Sequence, residues 1–111
     1  MKVSDIVNIE GIKLVSEEND FDREIGDLYT GDLLSWVMGH ARGDDVCLLT
    51  VLNTINVIAV ATLLDLSCVV FCEGVIPTND IIEKANDEGI NLFSSNDTTF
   101  HTALKIYQRI S

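Results

Sequence analysis

Three short polar runs interrupt an otherwise apolar second half of the chain: Leu52-Asn53-Thr54-Ile55-Asn56, Glu73-Gly74 and Ser94-Ser95-Asn96-Asp97-Thr98. Thr50 stands just ahead of the first. Each run follows an apolar stretch and leads toward a helical pattern. Amide, hydroxyl and carboxylate groups in that setting do one kind of chemistry well. The first turn of a helix leaves backbone N–H groups free, so a small polar or phosphate-bearing ligand can be held there. The candidate ligand-binding residues are therefore Thr50, Asn53, Asn56, Glu73, Gly74, Ser94, Ser95, Asp97 and Thr98. The same residue types are the ordinary caps of helices, so these runs fit plain capping as well as a pocket.

Other chemistries have less to build on. Cys68 and Cys72 are four apart on a predicted strand, which points them the same way but roughly 13 Å apart, too far for one zinc ion. His40 and His101 have no metal-ligand spacing. Cys47 lies between Val46 and Leu48, and a thiol in apolar surroundings is a poor nucleophile. His101 sits near the Asp97 run, where a solvent-facing or capping role suits it better than that of a base. Asp44-Asp45 and Glu17-Glu18 read as solvated turns. No Gly-rich phosphate loop precedes a Lys-Ser or Lys-Thr, and no dinucleotide fingerprint is present. The pattern implies no catalytic residue, no metal and no cofactor, hence a protein that is not an enzyme.

The elements that must position the polar runs follow from the apolar periodicity. Ile12 to Val15 and Glu24 to Tyr29 have the length of short strands, with a charged turn between them. Asp32 is placed to cap a helix whose apolar side is Leu33, Leu34, Trp36, Val37 and Met38. Val46 to Val51 and Ser67 to Cys72 are continuous apolar runs, as in strands covered on both faces. Thr54 to Leu66 reads as a helix that is apolar nearly all round, which calls for cover on several sides. A second copy of the chain would supply it, with Ile55, Val57, Val60 and Leu64 at the dimer interface. Thr78 to Glu88, stopped by Gly89, is a further helix. Ile90 to Phe93 is a third strand, and Thr98 to Ile110 the last helix.

Strand and helix thus alternate from residue 46 to the end. The expected fold class is α/β: a small, mostly parallel sheet with helices packed on both faces. Residues 1–111 read as one domain, with an acidic N-terminal part over 1–45 and a βαβαβα core over 46–111. In such sheets ligands bind beyond the carboxyl ends of the strands, where all three polar runs fall.

Charge narrows the partners. The chain of 111 residues carries 18 Asp and Glu against 7 Lys and Arg, a formal net charge of -11. That field repels phosphate backbones and anionic lipid heads, which speaks against nucleic acid and membrane surfaces. A basic protein partner or a cation stays open, and acidity also serves solubility alone. The apolar stretch from Val46 to Phe71 contains Asn53, Asn56 and Asp65, which are costly in hydrocarbon. The N-terminus has no apolar signal core and the cysteine count is odd, so a cytoplasmic location is expected.

The chain resembles the DRTGG domain family. The likeness rests on Leu48-Leu49-Thr50-Val51-Leu52-Asn53-Thr54, on Asn56-Val57-Ile58-Ala59-Val60-Ala61, and on Val69-Val70-Phe71-Cys72-Glu73-Gly74. It continues through Lys84-Ala85, Ile90-Asn91-Leu92-Phe93 and Asn96-Asp97-Thr98-Thr99-Phe100, and upstream through Thr30-Gly31-Asp32-Leu33-Leu34-Ser35-Trp36-Val37-Met38. Two positions depart from the family's pattern. Asn53-Thr54 stands where an Asp-Arg pair often falls, and Glu73-Gly74 where a Gly-Gly pair falls. The resemblance implies a regulatory or interaction role. Similar domains sit beside nucleotide-sensing CBS modules in some pyrophosphatases, and away from the catalytic part in phosphate acetyltransferases. It also implies pairing into homodimers. The function expected is a non-catalytic, ligand-sensing regulatory module; the alternative is a docking subunit for an enzyme or signalling kinase, with no small-molecule ligand.

Overall fold

The computed structural model describes residues 1–110. Nine regular elements follow a 3-10 helix at Val3–Asn8: β1 (Ile12–Leu14), β2 (Asp27–Thr30), α1 (Leu34–His40), β3 (Val46–Thr50), α2 (Asn56–Leu63), β4 (Cys68–Phe71), α3 (Asn79–Glu88), β5 (Leu92–Ser95) and α4 (Thr99–Ile110). The five strands form one sheet in the order β1-β5-β4-β3-β2. Strands β2 to β5 run parallel, and β1 closes the far edge antiparallel to β5. The expected mostly parallel α/β sheet is thus what forms, and residues before 46 supply both of its edge strands.

Strand alternation sorts the core into two layers. Val46, Leu48, Val69, Phe71 and Leu92 face one way and meet Val37 of α1, Val57, Ile58 and Ala61 of α2, and Ile81 and Ala85 of α3. Cys47, Leu49, Cys68, Val70 and Phe93 face the other way and meet Val3, Ile6, Ile25 and Ile106. Both β3 and β4 are buried along their whole length, as their unbroken apolar runs require.

Two expectations about helices are corrected. Helix α2 is apolar nearly all round, yet it does not need a partner to bury its strongest side. Val57 and Val60 lie 0% and 5% exposed in the chain's own core, so neither has surface to give a second copy. The side left to solvent carries Ile55, Asn56, Ala59, Thr62 and Leu63, and Leu64 packs partly against the core. In α1 the apolar side is largely uncovered: Val37 is buried, but Leu33, Trp36 and Met38 are exposed. Asp32 does not cap α1 either. Its Oδ1 accepts 2.8 Å hydrogen bonds from Thr50 Oγ1 and the Val51 amide, tying the end of β2 to the end of β3.

Helix α3 ends as expected. Gly89 adopts φ +71 at its C-cap, the left-handed turn that a side chain resists. β5 begins and ends two residues later than the apolar pattern places it, because Ser94 and Ser95 belong to the strand and are buried.

All three thiols are buried and free. Cys47 and Cys68 are register partners on β3 and β4, with sulfurs 3.5 Å apart. The hydrogen bond between them and then burial push Cys47 upward. Burial raises Cys72 from 9.0 to about 11.

Two outcomes follow from this core. Val57→Glu places an unpaired carboxylate where no water reaches, so the variant should lose cooperative melting; Leu63→Glu, on the exposed side, should shift stability by no more than about 0.5 kcal/mol. Differential scanning calorimetry checks both. The folded state also favours the neutral Cys72 thiol. Its contribution is whole below pH 9 and is lost as pH rises toward 11. Urea melts across that window should show the loss in the wild type and a smaller one in Cys72→Ala.

Candidate functional site

The parallel strands bring four loops to one edge, at the carboxyl ends of β2, β3, β4 and β5. This is where the sequence places its polar runs, and eight of the nine candidate residues sit here as strand ends or loops. The ninth, Asn56, opens α2 on the same side.

Hydrogen bonds interlock these loops. The buried Thr50 hydroxyl donates to Asp32 and accepts from the Leu52 amide at 3.2 Å. Asn53 uses both ends of its amide: Nδ2 donates to the Ile76 carbonyl and Oδ1 accepts from the Thr78 amide, each at 3.3 Å. It therefore ties the loop after β3 to the start of α3. Ser94 Oγ donates to the Val75 carbonyl at 2.7 Å, and Ser95 Oγ lies 2.7 Å from Thr102 Oγ1 inside the core. Thr50, Ser94 and Ser95 are thus buried supports, whereas Asn53, Asn56, Glu73, Gly74 and Thr98 face solvent.

Glu73 is the most constrained of them. It holds φ +62 and Gly74 holds φ +77, so two successive residues are left-handed. A non-glycine residue in that region costs about 1–2 kcal/mol. Three hydrogen bonds oppose the cost. The Glu73 amide donates to the Asp97 carbonyl and the Gly74 amide to the Ser95 carbonyl, both at 2.8 Å. The Glu73 carboxylate accepts from the Thr99 amide at 3.0 Å, capping the first turn of α4. The carboxylate of Glu73 therefore has a structural use: it gives the Thr99 amide a partner that a glycine could not supply.

Around α4 the polar groups pair with one another. Asp97 Oδ2 lies 3.0 Å from Lys105 Nζ, and its Oδ1 lies 3.8 Å from His101 Nδ1. The Lys105 contact first, then the Thr98 amide, holds the Asp97 carboxyl below its usual range. His101 Nδ1 is 2.9 Å from Thr98 Oγ1, which also accepts from the His101 amide. The histidine is exposed and serves this terminus. Asp32 carries no signal in the sequence for its role, since it reaches Thr50 and Val51 from another strand end, whereas Lys105 meets Asp97 from within α4, the helix that Asp97 precedes.

The helix termini differ in what occupies them. Glu73 and Thr98 fill α4, and Asp80 sits in the first turn of α3. The N-caps of α1, α2 and α3, which are Leu33, Ile55 and Thr78, make no side-chain capping hydrogen bond, and at α2 the Val57 and Ile58 amides donate to the carbonyls of Thr54 and Ile55. Among the described residues no three His, Cys, Asp or Glu side chains are grouped to hold a metal ion.

Concave surface lies elsewhere. At the amino ends of the strands a cavity of about 180 Å³ is lined by Asn19, Arg23, Asp65, Ser67 and Asn91, among others. Arg23 dominates that end. Its Nε lies 3.2 Å from Asp45, its Nη1 3.2 Å from Asp65, and its Nη2 donates to the Asp65 carbonyl at 2.8 Å. A groove of about 310 Å³ runs between β2 and α4, lined by Leu28, Thr30, Phe100, Ala103, Leu104 and Tyr107 with Asp27 at one end. Among the described residues no helix is long and apolar enough to cross a membrane.

No family model matches the chain, and no curated protein matches it. Its fold is that of a solved structure, the CBS and DRTGG domains of the regulatory region of Clostridium perfringens pyrophosphatase, complexed with its activator diadenosine tetraphosphate. The two superpose with a TM-score of 0.67 at 14% identity, over 96% of this chain and 46% of that one. The chain thus spans about half the length of that neighbour and shares a DRTGG-like architecture with it.

Proposed function

We propose that the chain is a non-catalytic regulatory domain, working in the cytoplasm as a homodimer, that senses a small polar or phosphate-bearing metabolite at the carboxyl edge of its sheet. The observation that carries this reading is the Glu73 clasp: one exposed carboxylate on a left-handed residue holds the first turn of α4. A ligand that engages Glu73 competes for that cap and is felt along the helix. A phosphate is best received one strand away. The first turn of α2 has no capping side chain, as at α1 and α3, but it alone is flanked by Asn53 and Asn56, whose side-chain amides can donate to phosphate oxygens. In this reading Asn53, Asn56, Glu73, Gly74 and Thr98 meet the ligand, while Thr50, Ser94, Ser95 and Asp97 hold the loops that present them. The likeness to a regulatory region supports the function class through the fold.

A second reading is favoured by the exposed Leu33 and Trp36 on α1. It makes the chain a docking subunit for an enzyme or signalling kinase, with no small-molecule ligand.

Thermal melts with mononucleotides, dinucleoside polyphosphates and inorganic phosphate test the first reading. A ligand present at about a hundred times its Kd should stabilise the fold by about 2.7 kcal/mol. Asn53→Ala should abolish the ligand-induced increment, whatever it does to the unliganded melting temperature. No increment with any of these compounds at millimolar concentration would sink the ligand reading and leave docking.

A further inference from the structure

We infer that Cys47 and Cys68 form a dithiol switch: hydrogen peroxide converts the pair to a disulfide that locks β3 to β4 at their amino ends. The pair lies at the end of the sheet away from the proposed ligand edge and takes no part in it.

The geometry is already close to that of the product. Cys47 and Cys68 are register partners on adjacent parallel strands. Neighbouring strands lie about 4.8 Å apart, inside the range of about 4.4–6.8 Å that the α-carbons of a disulfide span. Both side chains lie in the same core layer, and the Cys68 thiol donates to the Cys47 sulfur at 3.5 Å. Bonding at about 2.05 Å asks each sulfur to move by roughly 0.7 Å. Cys72 is placed differently. Its thiol donates to the Val70 carbonyl at 3.7 Å, and four residues of extended chain put its α-carbon roughly 13 Å from that of Cys68. The switch therefore has two members, and the third thiol is left over.

In the intact fold the pair is inert. Both residues are 0% exposed. The bond from Cys68 and then burial push the Cys47 thiol upward, and a thiol that keeps its proton is a poor nucleophile. The cover over this layer includes Val3 and Ile6 of the 3-10 helix, and Ile25. It is tied down beside the pair: the Gly26 amide donates to the Asp45 carbonyl, and the Ser67 hydroxyl to the Glu24 carbonyl. A six-residue 3-10 helix has poorer hydrogen bonds than an α-helix. Its Lys2–Asp22 ion pair is exposed and holds it weakly. Local opening of such a segment needs less free energy than global unfolding, and it admits water and peroxide.

In the opened form one thiol gives its proton to water, and its sulfur attacks a peroxide oxygen. The O–O bond breaks, a sulfenic acid forms, and the hydroxide released takes up the proton as water. The second sulfur then displaces the sulfenic hydroxyl, which leaves with that thiol's proton as a second water, and the S–S bond closes. Two thiols give up two electrons and two protons, and one peroxide becomes two waters. The second thiol is already a neighbour, so the sulfenic acid is captured before another peroxide reaches it. The disulfide closes a loop that contains α2. It removes freedom from the unfolded chain and so favours the folded one.

Treatment of the full chain with millimolar hydrogen peroxide in native buffer, then alkylation in urea and mass spectrometry, tests the switch. The expected product is lighter by two hydrogens before alkylation, keeps Cys72 as its one alkylatable thiol, and regains all three after dithiothreitol. Cleavage before Asp65 should leave the Cys47 and Cys68 fragments joined. Cys72→Ala should form the same link, whereas Cys47→Ala and Cys68→Ala should form none. The linked wild type should need about 1 M more urea to unfold than the reduced chain, and dithiothreitol should remove the difference. In the wild type, three free thiols after peroxide, a link that includes Cys72, or sulfinic acid at Cys47 or Cys68 in place of a link overturns the inference. A linked chain whose urea midpoint does not rise overturns the lock.

Discussion

The handedness of the strand crossovers governs this molecule. β2, β3, β4 and β5 are laid down side by side in one direction, each parallel to the last. Right-handed connections then oblige α1, α2 and α3 to lie on the same face of the sheet, as the core layers show. The opposite face of a sheet this apolar cannot stay wet, and α4 alone does not span it. The residues before β2 complete the cover: Val3 and Ile6 from the 3-10 helix, and Ile25 beside them. The acidic first third is therefore part of the architecture. It is fastened at the amino ends of the strands, where Arg23 joins Asp45 and Asp65 and the Ser67 hydroxyl donates to the Glu24 carbonyl at 2.7 Å.

The same constraint explains why polar residues gather at the carboxyl edge. Parallel strands deliver every βα loop to one side, so four loops from distant parts of the chain must share a small area. Their backbone groups need partners there. Asp32 finds Thr50, Asn53 finds Ile76 and Thr78, and Glu73 finds Thr99. Among the described residues no buried side-chain nitrogen or oxygen is left without a partner. The edge is thus ordered before any ligand arrives. Such preorganisation lowers the entropic cost of binding, and it means that a ligand gains only by replacing bonds already made.

How much of this was legible depends on the range of the forces involved. Continuous apolar runs identify β3 and β4, because a strand buried on both faces leaves that mark in sequence order. Gly89 ends α3 through its own backbone freedom, which is also local. β5 was displaced by two residues because Ser94 and Ser95 look like loop. Their burial rests on the Val75 carbonyl and on Thr102, which only the fold brings near. Asp32 looks like a helix cap for the same reason: its short-range option is visible in the sequence, and its bonds to Thr50 and Val51 are not. The all-apolar α2 misled differently. Composition reveals that Val57 and Val60 must be buried, but not by what, and the chain's own sheet supplies the cover. The candidate ligand residues were legible as a cluster because loop position follows from topology. Their division into buried supports and exposed groups was not, since it depends on partners across the sheet.

One helix runs from the proposed ligand edge along an exposed apolar stripe. The N-terminus of α4 is held by the Glu73 carboxylate, its inner side by Ile106 and Thr102, and its outer side carries the Phe100–Leu104–Tyr107 stripe. Phe100 lies one residue beyond the amide that Glu73 caps. A ligand that draws Glu73 away would free the Thr99 amide, while the Thr98 hydroxyl keeps its hold on the His101 amide one turn on. The left-handed Glu73 does here what a glycine could not. A glycine there would relax the backbone but leave α4 with no carboxylate to release. The backbone strain at that residue is consistent with a cap held close to the point of exchange.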